Sequence, residues 1–443
     1  MHAASSVYFG LSPMWVSTVI LAATYAIIMS EKINRAIIAL IGASVMILVG
    51  VFSQEEAVRG IDWNTIGLLT GMMILVSISR RSGMFQYIAV WSAQAAKAHP
   101  SGILFLLQIT TAVLSAFLDN VTTVLLIVPV TLAIAKELDV PVYPYLFAEV
   151  FASNIGGTAT LIGDPPNILI GTQAGLSFND FVVHLTPVIV VVMIVQTVMI
   201  HVVWGKELRT TAEREARVMA MVPAEAIQDW LLLKQSLVVL TAVMVAFVLA
   251  RPLNLEPATI GMFGAAVLML LDNWAHHTEK AAQNIHQTFS DVEWITIFFF
   301  VGLFMVVHGV EHGGLLKLLA EKLVAATGGS IATAGFAILW ASAVLSSIVD
   351  NIPFVATMIP LIKSMAPAYG GADKIEPLWW CLSLGACLGG NGTLIGASAN
   401  LTVAGIAERN GIAFRFLTYT MYAFPMMIVS VAISHLYVWW RYF

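Results

Sequence analysis

The sequence contains little charge for its length. Only 11% of its 443 residues are charged, whereas average proteins carry about 25%. Hydrophobic residues make up 59% of the chain, and apolar runs such as 181–204 reach the ~20 residues needed to cross a bilayer. This composition excludes a soluble protein and predicts a polytopic membrane protein.

The sequence is also poor in cysteine and lacks a Walker nucleotide-binding motif. Its two cysteines, Cys381 and Cys387, exclude a disulfide scaffold and disfavour a structural zinc site. Without a Walker motif, transport by this chain must use an ion gradient or borrow an ATPase subunit. No catalytic constellation or soluble domain is recognisable, so we expect no enzyme, no nucleic-acid partner and no cofactor beyond a bound sodium ion or proton.

Internal repetition is the most informative feature of the chain. Acids and helix breakers recur inside apolar sequence at a nearly constant spacing, which is typical of a transporter built from two related halves. The matches, at spacings of 231 or 233 positions, are Asp62 with Glu293, Asp119-Asn120 with Asp350-Asn351, Thr160 with Thr393, Gly163 with Gly396 and Asn167 with Asn400.

The repetition divides the chain into halves at 1–217 and 231–443, joined by a cytoplasmic linker at 218–230. Each half is predicted to contain five crossings, one of them broken. An odd number of crossings inserts the second half upside down relative to the first. The predicted spans are 14–30, 36–52, 63–79, 144–175 (broken), 181–204, 231–250, 258–274, 294–310, 378–407 (broken) and 415–440.

Two further apolar segments, 101–135 and 331–365, are each interrupted by one of the Asp-Asn pairs. Each segment is too short for two crossings with a loop, and its polar break falls where lipid should be. A re-entrant hairpin buried against protein satisfies this constraint. Amphipathic helices at 84–97 and 314–327 are expected to lie at the membrane interface and lead into the hairpins.

The predicted fold class is therefore an all-α polytopic membrane protein. It has two inverted-topology repeats, about ten transmembrane helices, two re-entrant hairpins and two broken helices. With both termini outside, this arrangement places twice as many basic residues in the cytoplasm as outside, as the positive-inside rule requires. We expect the chain to lie in the cell inner membrane.

Four acids in apolar sequence are candidates for proton coupling. Asp119, Asp164, Asp350 and Glu149 all lie in segments where a charge costs about 2.5–3.5 kcal/mol on insertion scales. A single such acid could simply cap a broken helix. Two acids at matched repeat positions, each beside an Asn, instead favour ion or proton handling. Glu149 has no acidic repeat partner, so its case is weaker.

The broken spans supply a second group of candidate ligands. Gly and Pro free the backbone there, and an unwound segment exposes carbonyls that can bind a cation. The alternative is a kinked helix whose glycines pack against a neighbour. The predicted substrate and ion ligands, besides the three aspartates, are Asn120, Thr122, Thr123, Asn154, Gly157, Thr158, Thr160, Asn167, Asn351, Asn391, Gly392, Thr393, Ser398 and Asn400.

The two halves are not identical at these motifs. Asp164-Pro165-Pro166 corresponds to 397–399, which read Ala-Ser-Ala, and the Thr122-Thr123 pair has no polar counterpart. We therefore expect cation chemistry mainly in the first half, with the second half shaping the substrate pocket.

At 117–123, 154–157, 163–167 and 350–353 the chain resembles the ion transporter superfamily, in particular the branch of ArsB-type arsenite pumps, NhaD-type sodium/proton antiporters and the P protein. The resemblance covers essentially the whole chain. It implies a scaffold and a transport region, with hairpin tips and broken helices meeting at a midplane site. In the dicarboxylate branch the tips read Ser-Asn-Thr, and an acid at each tip of this chain would repel a dicarboxylate.

The function expected from these features is secondary active transport by alternating access. The leading substrate prediction is proton-coupled efflux of arsenite or antimonite, because neutral As(OH)₃ suits a pocket of Asn, Thr and backbone groups. Sodium/proton antiport is the alternative, and transport of a carboxylate or other anion is third. An anion channel would differ from all three by moving nothing uphill. Besides the lipid bilayer, an ATPase subunit and a homodimer are the partners left open.

Overall fold

The computed structural model describes residues 7, 10–30, 32–274 and 278–443, and its regular elements in these ranges are all helices. In chain order they are α1 (Pro13–Met29), α2 (Arg35–Leu48), α3 (Gln54–Arg59), α4 (Trp63–Arg80), α5 (Met84–Ala95), α6 (Pro100–Phe117), α7 (Asn120–Leu138), α8 (Tyr143–Thr158), α9 (Pro165–Ala174), α10 (Phe178–Trp204), α11 (Ala212–Met219), α12 (Trp230–Val248), α13 (Ala250–Leu253), α14 (Pro257–Asn273), α15 (Thr278–Ser290), α16 (Trp294–Gly313), α17 (Leu315–Ala326), α18 (Ile331–Ile348), α19 (Asn351–Met365), α20 (Glu376–Gly389), α21 (Ser398–Arg409) and α22 (Phe416–Tyr442).

The predicted all-helical membrane fold is confirmed. Eight helices in the described ranges, α6, α7, α10, α12, α16, α18, α19 and α22, are long and apolar enough to cross a membrane. The shorter apolar helices α1, α2 and α14 coincide with predicted spans, as does α4. Helices α3, α11 and α15 were not predicted, because they are short or polar. Helix α11 ends at Met219, inside the predicted linker 218–230.

The two halves interleave through their scaffold helices. Helix α4 of the first half packs against α14 of the second, where a Cβ on Gly71 would lie 2.5 Å from the carbonyl carbon of Gly261. Helix α16 packs against α2 in the same way, where a Cβ on Gly302 would lie 2.6 Å from that of Ala39. Gly71 and Gly302 stand 231 positions apart and are therefore a further repeat pair. Since only glycine permits such close backbone contact, these two glycines allow each half to pack against the other.

The two hairpins turn at the Asp-Asn pairs. The first consists of α6 and α7 and breaks at Leu118-Asp119, here called the first tip. The second consists of α18 and α19 and breaks at Val349-Asp350, the second tip. In both breaks an extended residue ends one helix and the aspartate caps the next, which satisfies orphan backbone N–H groups.

Each hairpin is fastened to the broken helix of its own half by an equivalent hydrogen bond. The hydroxyl of Ser115 donates to the Ser153 carbonyl at 2.6 Å, and that of Ser346 donates to the Ala386 carbonyl at 2.7 Å. These contacts join α6 to α8 and α18 to α20. The pseudosymmetry seen in the sequence therefore extends to individual hydrogen bonds.

The broken helices lose their α-helical hydrogen bonds at 159–164, which is irregular, and at 390–397, which contains two short 3₁₀ turns. In the first, the Asn167 amide donates to the carbonyls of Thr158 and Thr160, at 3.0 and 2.9 Å. In the second, the Asn400 amide donates to those of Gly390 and Thr393, both at 2.8 Å. Buried carbonyls released from a helix need such partners, so these two asparagines stabilise the unwound segments.

Candidate functional site

The candidate site is a cavity of about 130 Å³ between the two hairpin tips. The beginnings of α9 and α21 form one wall, and the scaffold helices α2, α4 and α16 form the other. Its lining residues are Arg35, Leu69, Met73, Asp119, Asn120, Val121, Asp164, Pro165, Glu293, Thr296, Asn351, Ile352, Ser398 and Thr402.

At the first tip, Asp119 is both a helix cap and a cavity residue. One carboxylate oxygen accepts a hydrogen bond from the Thr122 backbone N–H at 2.7 Å, and the other accepts one from the Thr122 hydroxyl. The Thr123 hydroxyl donates to the Asp119 carbonyl at 2.8 Å. Thr122 thus fixes the direction of the carboxylate, and neither threonine lines the cavity.

A buried network of asparagines connects the first tip to both broken helices. The Asn120 amide donates to Asn154 at 3.0 Å and to the Asp164 carboxyl at 3.3 Å. The Asn154 amide donates in turn to Asn391 at 2.9 Å and to Asn400 at 2.8 Å. Because Asn154 belongs to the first half and its two acceptors to the second, it joins the two repeats at their centre.

Two buried oxygens at the cavity wall are left without a protein partner. They are Oδ1 of Asn120 and Oδ2 of Asp164, for which the described residues offer no partner of good hydrogen-bond geometry, although the side chains of Cys387 and Asn351 approach the Asp164 carboxyl group. Asn120 is 3% exposed and Asp164 is 1% exposed, so bulk water does not compensate them. A buried polar atom without a partner costs about 1–3 kcal/mol. Both residues line the cavity, which makes these two oxygens candidate ligands for a species that accepts lone pairs.

The second tip differs from the first because the guanidinium group of Arg35 is bound to its aspartate. Arg35 Nη1 lies 3.0 Å from Asp350 Oδ2 and 2.8 Å from the Ser398 hydroxyl. Asp350 also caps α19 by accepting from the Ile352 N–H at 3.0 Å. The neighbouring Asn351 is buried and lines the cavity.

The other predicted ligands lie behind the cavity rather than in its wall. Asn154, Asn391 and Asn400 form the central network, and Asn167 holds an unwound segment. Thr160 and Thr393 donate through their hydroxyls to carbonyls of α6 and α18. Gly157 and Thr158 are buried at the end of α8, and Gly392 is buried in the second break; a Cβ on Gly157 would clash with the Gly163 carbonyl oxygen.

Glu149 lies outside the cavity. It is buried on α8, accepts a hydrogen bond from the Thr131 hydroxyl of α7, and has one carboxyl oxygen without a partner in the described chain. Cys387 is closer to the site, since its thiol donates to Asn167 Oδ1 at 3.6 Å and faces Asp164. The thiol of Cys381 is buried on α20.

Sequence reasoning missed the apolar lining and four polar or charged residues of the cavity wall: Arg35, Glu293, Thr296 and Thr402. Glu293 carried a signal, because it is the repeat partner of Asp62 at a spacing of 231 positions. Arg35 carried none as a ligand, since a basic residue at the start of a span is normally a topology determinant.

The charge in the cavity wall is predominantly negative. Asp119, Asp164 and Glu293 contribute three carboxylates, of which Asp164 is buried, Asp119 is half-buried and Glu293 is exposed. Arg35 is the one basic side chain among the described residues that line the cavity, and it is engaged by Asp350. Acidic side chains therefore outnumber basic ones in the described part of the cavity wall.

Comparison with known proteins identifies the family of the chain. A family model described as "Citrate transporter" (CitMHS) matches residues 25–385. The chain belongs to this family, within the ion transporter superfamily. A relative named "Uncharacterized transporter Rv2684" from Mycobacterium tuberculosis is 42% identical over 432 residues, covering 97% of this chain and 98% of that protein. The "P protein" of Homo sapiens is 33% identical over 504 residues, covering 95% of this chain and 59% of that protein.

Among solved structures, the Alcanivorax borkumensis YdaH transporter has the same fold. The two align with a TM-score of 0.60 over 97% of this chain and 98% of that one, at 12% sequence identity. The fold and the family together make this member of the ion transporter superfamily a secondary transporter and not an enzyme.

Proposed function

We propose that this transporter exchanges a metal cation, with sodium as the first candidate, for protons at the first tip. The observation that carries the proposal is the charge of the cavity wall. Three carboxylates face about 130 Å³ of space, and the one lining base is already paired with Asp350. Sodium/proton antiport, the alternative expected from the sequence, thereby becomes the leading function.

The ligand set also suits a small hard cation. Asn120 Oδ1 and Asp164 Oδ2 are buried oxygens in need of a partner, and Asp119 lies at the same tip. Hard cations bind to carboxylate and amide oxygens. A carboxyl group in this position holds either a proton or a metal ion, because both need the same lone pairs. Competition of this kind couples the movement of one ion to that of the other.

Proton-coupled efflux of arsenite or antimonite is the second candidate. A specific observation favours it: the Cys387 thiol, a soft ligand, faces Asp164 immediately behind the cavity wall. A small neutral triol fits the cavity volume. In arsenite efflux the carboxylates would carry the coupling protons, while the asparagines would bind the neutral arsenite or antimonite.

Transport of a carboxylate is the third candidate and rests on the printed description of the matching family. An anion such as citrate would meet three carboxylates and one arginine that is already paired. Like charges at this distance disfavour its binding. The charge of the wall therefore ranks this candidate below the other two.

The test uses purified protein in proteoliposomes with an imposed pH gradient, and compares sodium with arsenite as the driven species. We expect sodium to dissipate the gradient in the wild type, and Asp164→Asn to abolish that flux. Asp373→Asn, which alters an exposed acid in a turn before α20, is the matched control. Gradient-driven arsenite movement without sodium-dependent proton flux would replace the first candidate with the second.

A further inference from the structure

The guanidinium group of Arg35 lies against the second tip and is contacted from several sides. Arg35 Nη1 contacts Asp350 at 3.0 Å and Ser398 at 2.8 Å, and Nη2 lies 3.4 Å from the Thr296 hydroxyl. The guanidinium carbon stands 4.9 Å from the centre of the Phe299 ring. Ser398 also donates to the Asp350 carboxylate at 3.1 Å. Three acceptors and an aromatic face fix the group in one place.

This arrangement joins two regions of the molecule. Arg35 begins α2, and α2 packs against α16 in the interleaved scaffold, whereas Asp350 and Ser398 belong to the hairpin and the broken helix. The side chains of Arg35 and Asp350 are 26% and 15% exposed, so the pair is largely shielded from solvent. Removal of one partner from a shielded ion pair leaves an uncompensated charge and is far more costly than the same change in a surface pair.

The first tip has no comparable partner. In the described part of the chain, neither Asp119 nor Asp164 forms an ion pair. The pseudosymmetry explains why. Arg35 directly follows the N-cap of α2, and the equivalent position of α14, directly after its N-cap, is Pro257. The position that holds a cation in α2 therefore holds an uncharged ring in α14.

We propose that Arg35 is a tethered countercation, whose guanidinium occupies at the second tip the position that an exchangeable cation takes at the first. The two Asp-Asn tips then derive from the same repeat, but a protein side chain neutralises the second tip whereas a transported cation neutralises the first. Asp350 is neutralised by a residue of the scaffold, so among these aspartates only Asp119 and Asp164, beside Glu293 in the same wall, are available to a transported ion. Arg35 thereby determines how many cations the cavity takes. This inference rests on the proposed cation exchange.

The proposal makes opposite predictions for the two partners. In Asp350→Asn, Arg35 loses its carboxylate and is released beside Asp119 and Glu293, which share its cavity. The freed guanidinium should pair with them and exclude the transported cation. In Arg35→Gln, Asp350 becomes an additional free acid. The cation dependence of flux should then become steeper, with a Hill coefficient rising from about one toward two.

The decisive variant combines both changes. We expect Asp350→Asn alone to lower sodium-driven proton flux by at least about tenfold, and Arg35→Gln with Asp350→Asn to restore it to within about threefold of the wild type. Restoration with the wild-type Hill coefficient supports the tethered countercation. A double variant that stays as inactive as Asp350→Asn overturns it, since Arg35 would then act on the cargo itself. Arg80→Gln, an exposed base at the end of α4, is the control.

A second readout separates this proposal from the proposed function. Thermal unfolding of the purified wild type, both single variants and the double variant forms a cycle that needs no transport. If the double variant loses less stability than the two single variants lose together, the two positions are coupled. That result supports the ion pair. Additive losses overturn it. A wild type without cation-driven flux would refute the exchange function, whereas this cycle would still decide whether the two side chains are coupled.

Discussion

Replacing Asn154 with alanine removes the side chain that joins the two halves at their centre. Asn154 is 0% exposed, accepts from Asn120 and donates to Asn391 and Asn400. The last two lose the one partner that the described chain offers to their amide oxygens. At about 1–3 kcal/mol for each buried atom left unsatisfied, we expect a loss of about 2–6 kcal/mol in unfolding free energy.

Chemical denaturation in detergent micelles, followed by tryptophan fluorescence, measures this loss. The matched control is Asn179→Ala, which removes one exposed hydrogen bond, to the Val248 carbonyl at 2.8 Å, and should cost less than about 1 kcal/mol. Equal and small losses in the two variants would refute the central network. The same Asn154→Ala protein should also lose sodium-driven proton flux, because the amide of Asn120 is then held by Asp164 alone.

Three further changes test separate parts of the structure. Thr122→Val removes the hydroxyl that holds the Asp119 carboxylate. We expect the apparent sodium affinity in flux assays to weaken severalfold, with little change in stability. An unchanged affinity would contradict the assigned geometry. Gly389→Ala would place a Cβ 2.5 Å from a carbonyl oxygen of α18, so thermal unfolding should show strong destabilisation, and wild-type stability would disprove the close approach. Ser115→Ala and Ser346→Ala each remove the hydrogen bond between a hairpin and its broken helix. We expect each to lower the free energy of unfolding by about 0.5–1.5 kcal/mol. Clearly unequal losses would argue against equivalent roles.

The architecture was largely predictable because the bilayer restricts it. Apolar length and polar breaks placed the spans and both hairpins, and α4 begins at Trp63 as predicted. The Asp-Asn spacing located both tips and their capping aspartates. What failed were the polar helices α11 and α15, whose sequences resemble ordinary loops because no apolar run marks them.

The site was only partly predictable, because its walls come from distant parts of the chain. Arg35 reaches Asp350 across 315 positions, and no periodicity in the sequence connects α2 with the second hairpin. The repeat revealed that Asp119 and Asp350 share an origin, yet it could not reveal that one of them is paired. Glu293 illustrates a further limit: its match to Asp62 was visible, but its place at the cavity depends on the packing of α16.

The interpretation that the broken spans hold ligands also needs refinement. The side-chain amides of Asn167 and Asn400 donate hydrogen bonds to backbone carbonyls that the breaks leave without a helical partner. Their spacing looks like that of ligands because unwound carbonyls and bound ions both require polar side chains. Sequence alone does not distinguish a residue that binds an ion from one that stabilises the unwound segment.

Proton release on sodium binding tests the central claim most directly. Sodium is added to the purified wild-type protein in weakly buffered detergent solution, and the protons released are counted beside Asp164→Asn and the control Asp373→Asn. Exchange at the first tip predicts saturable proton release in the wild type and the control, and none in Asp164→Asn. Release that persists in Asp164→Asn, or is missing from the wild type, would contradict cation exchange at this site.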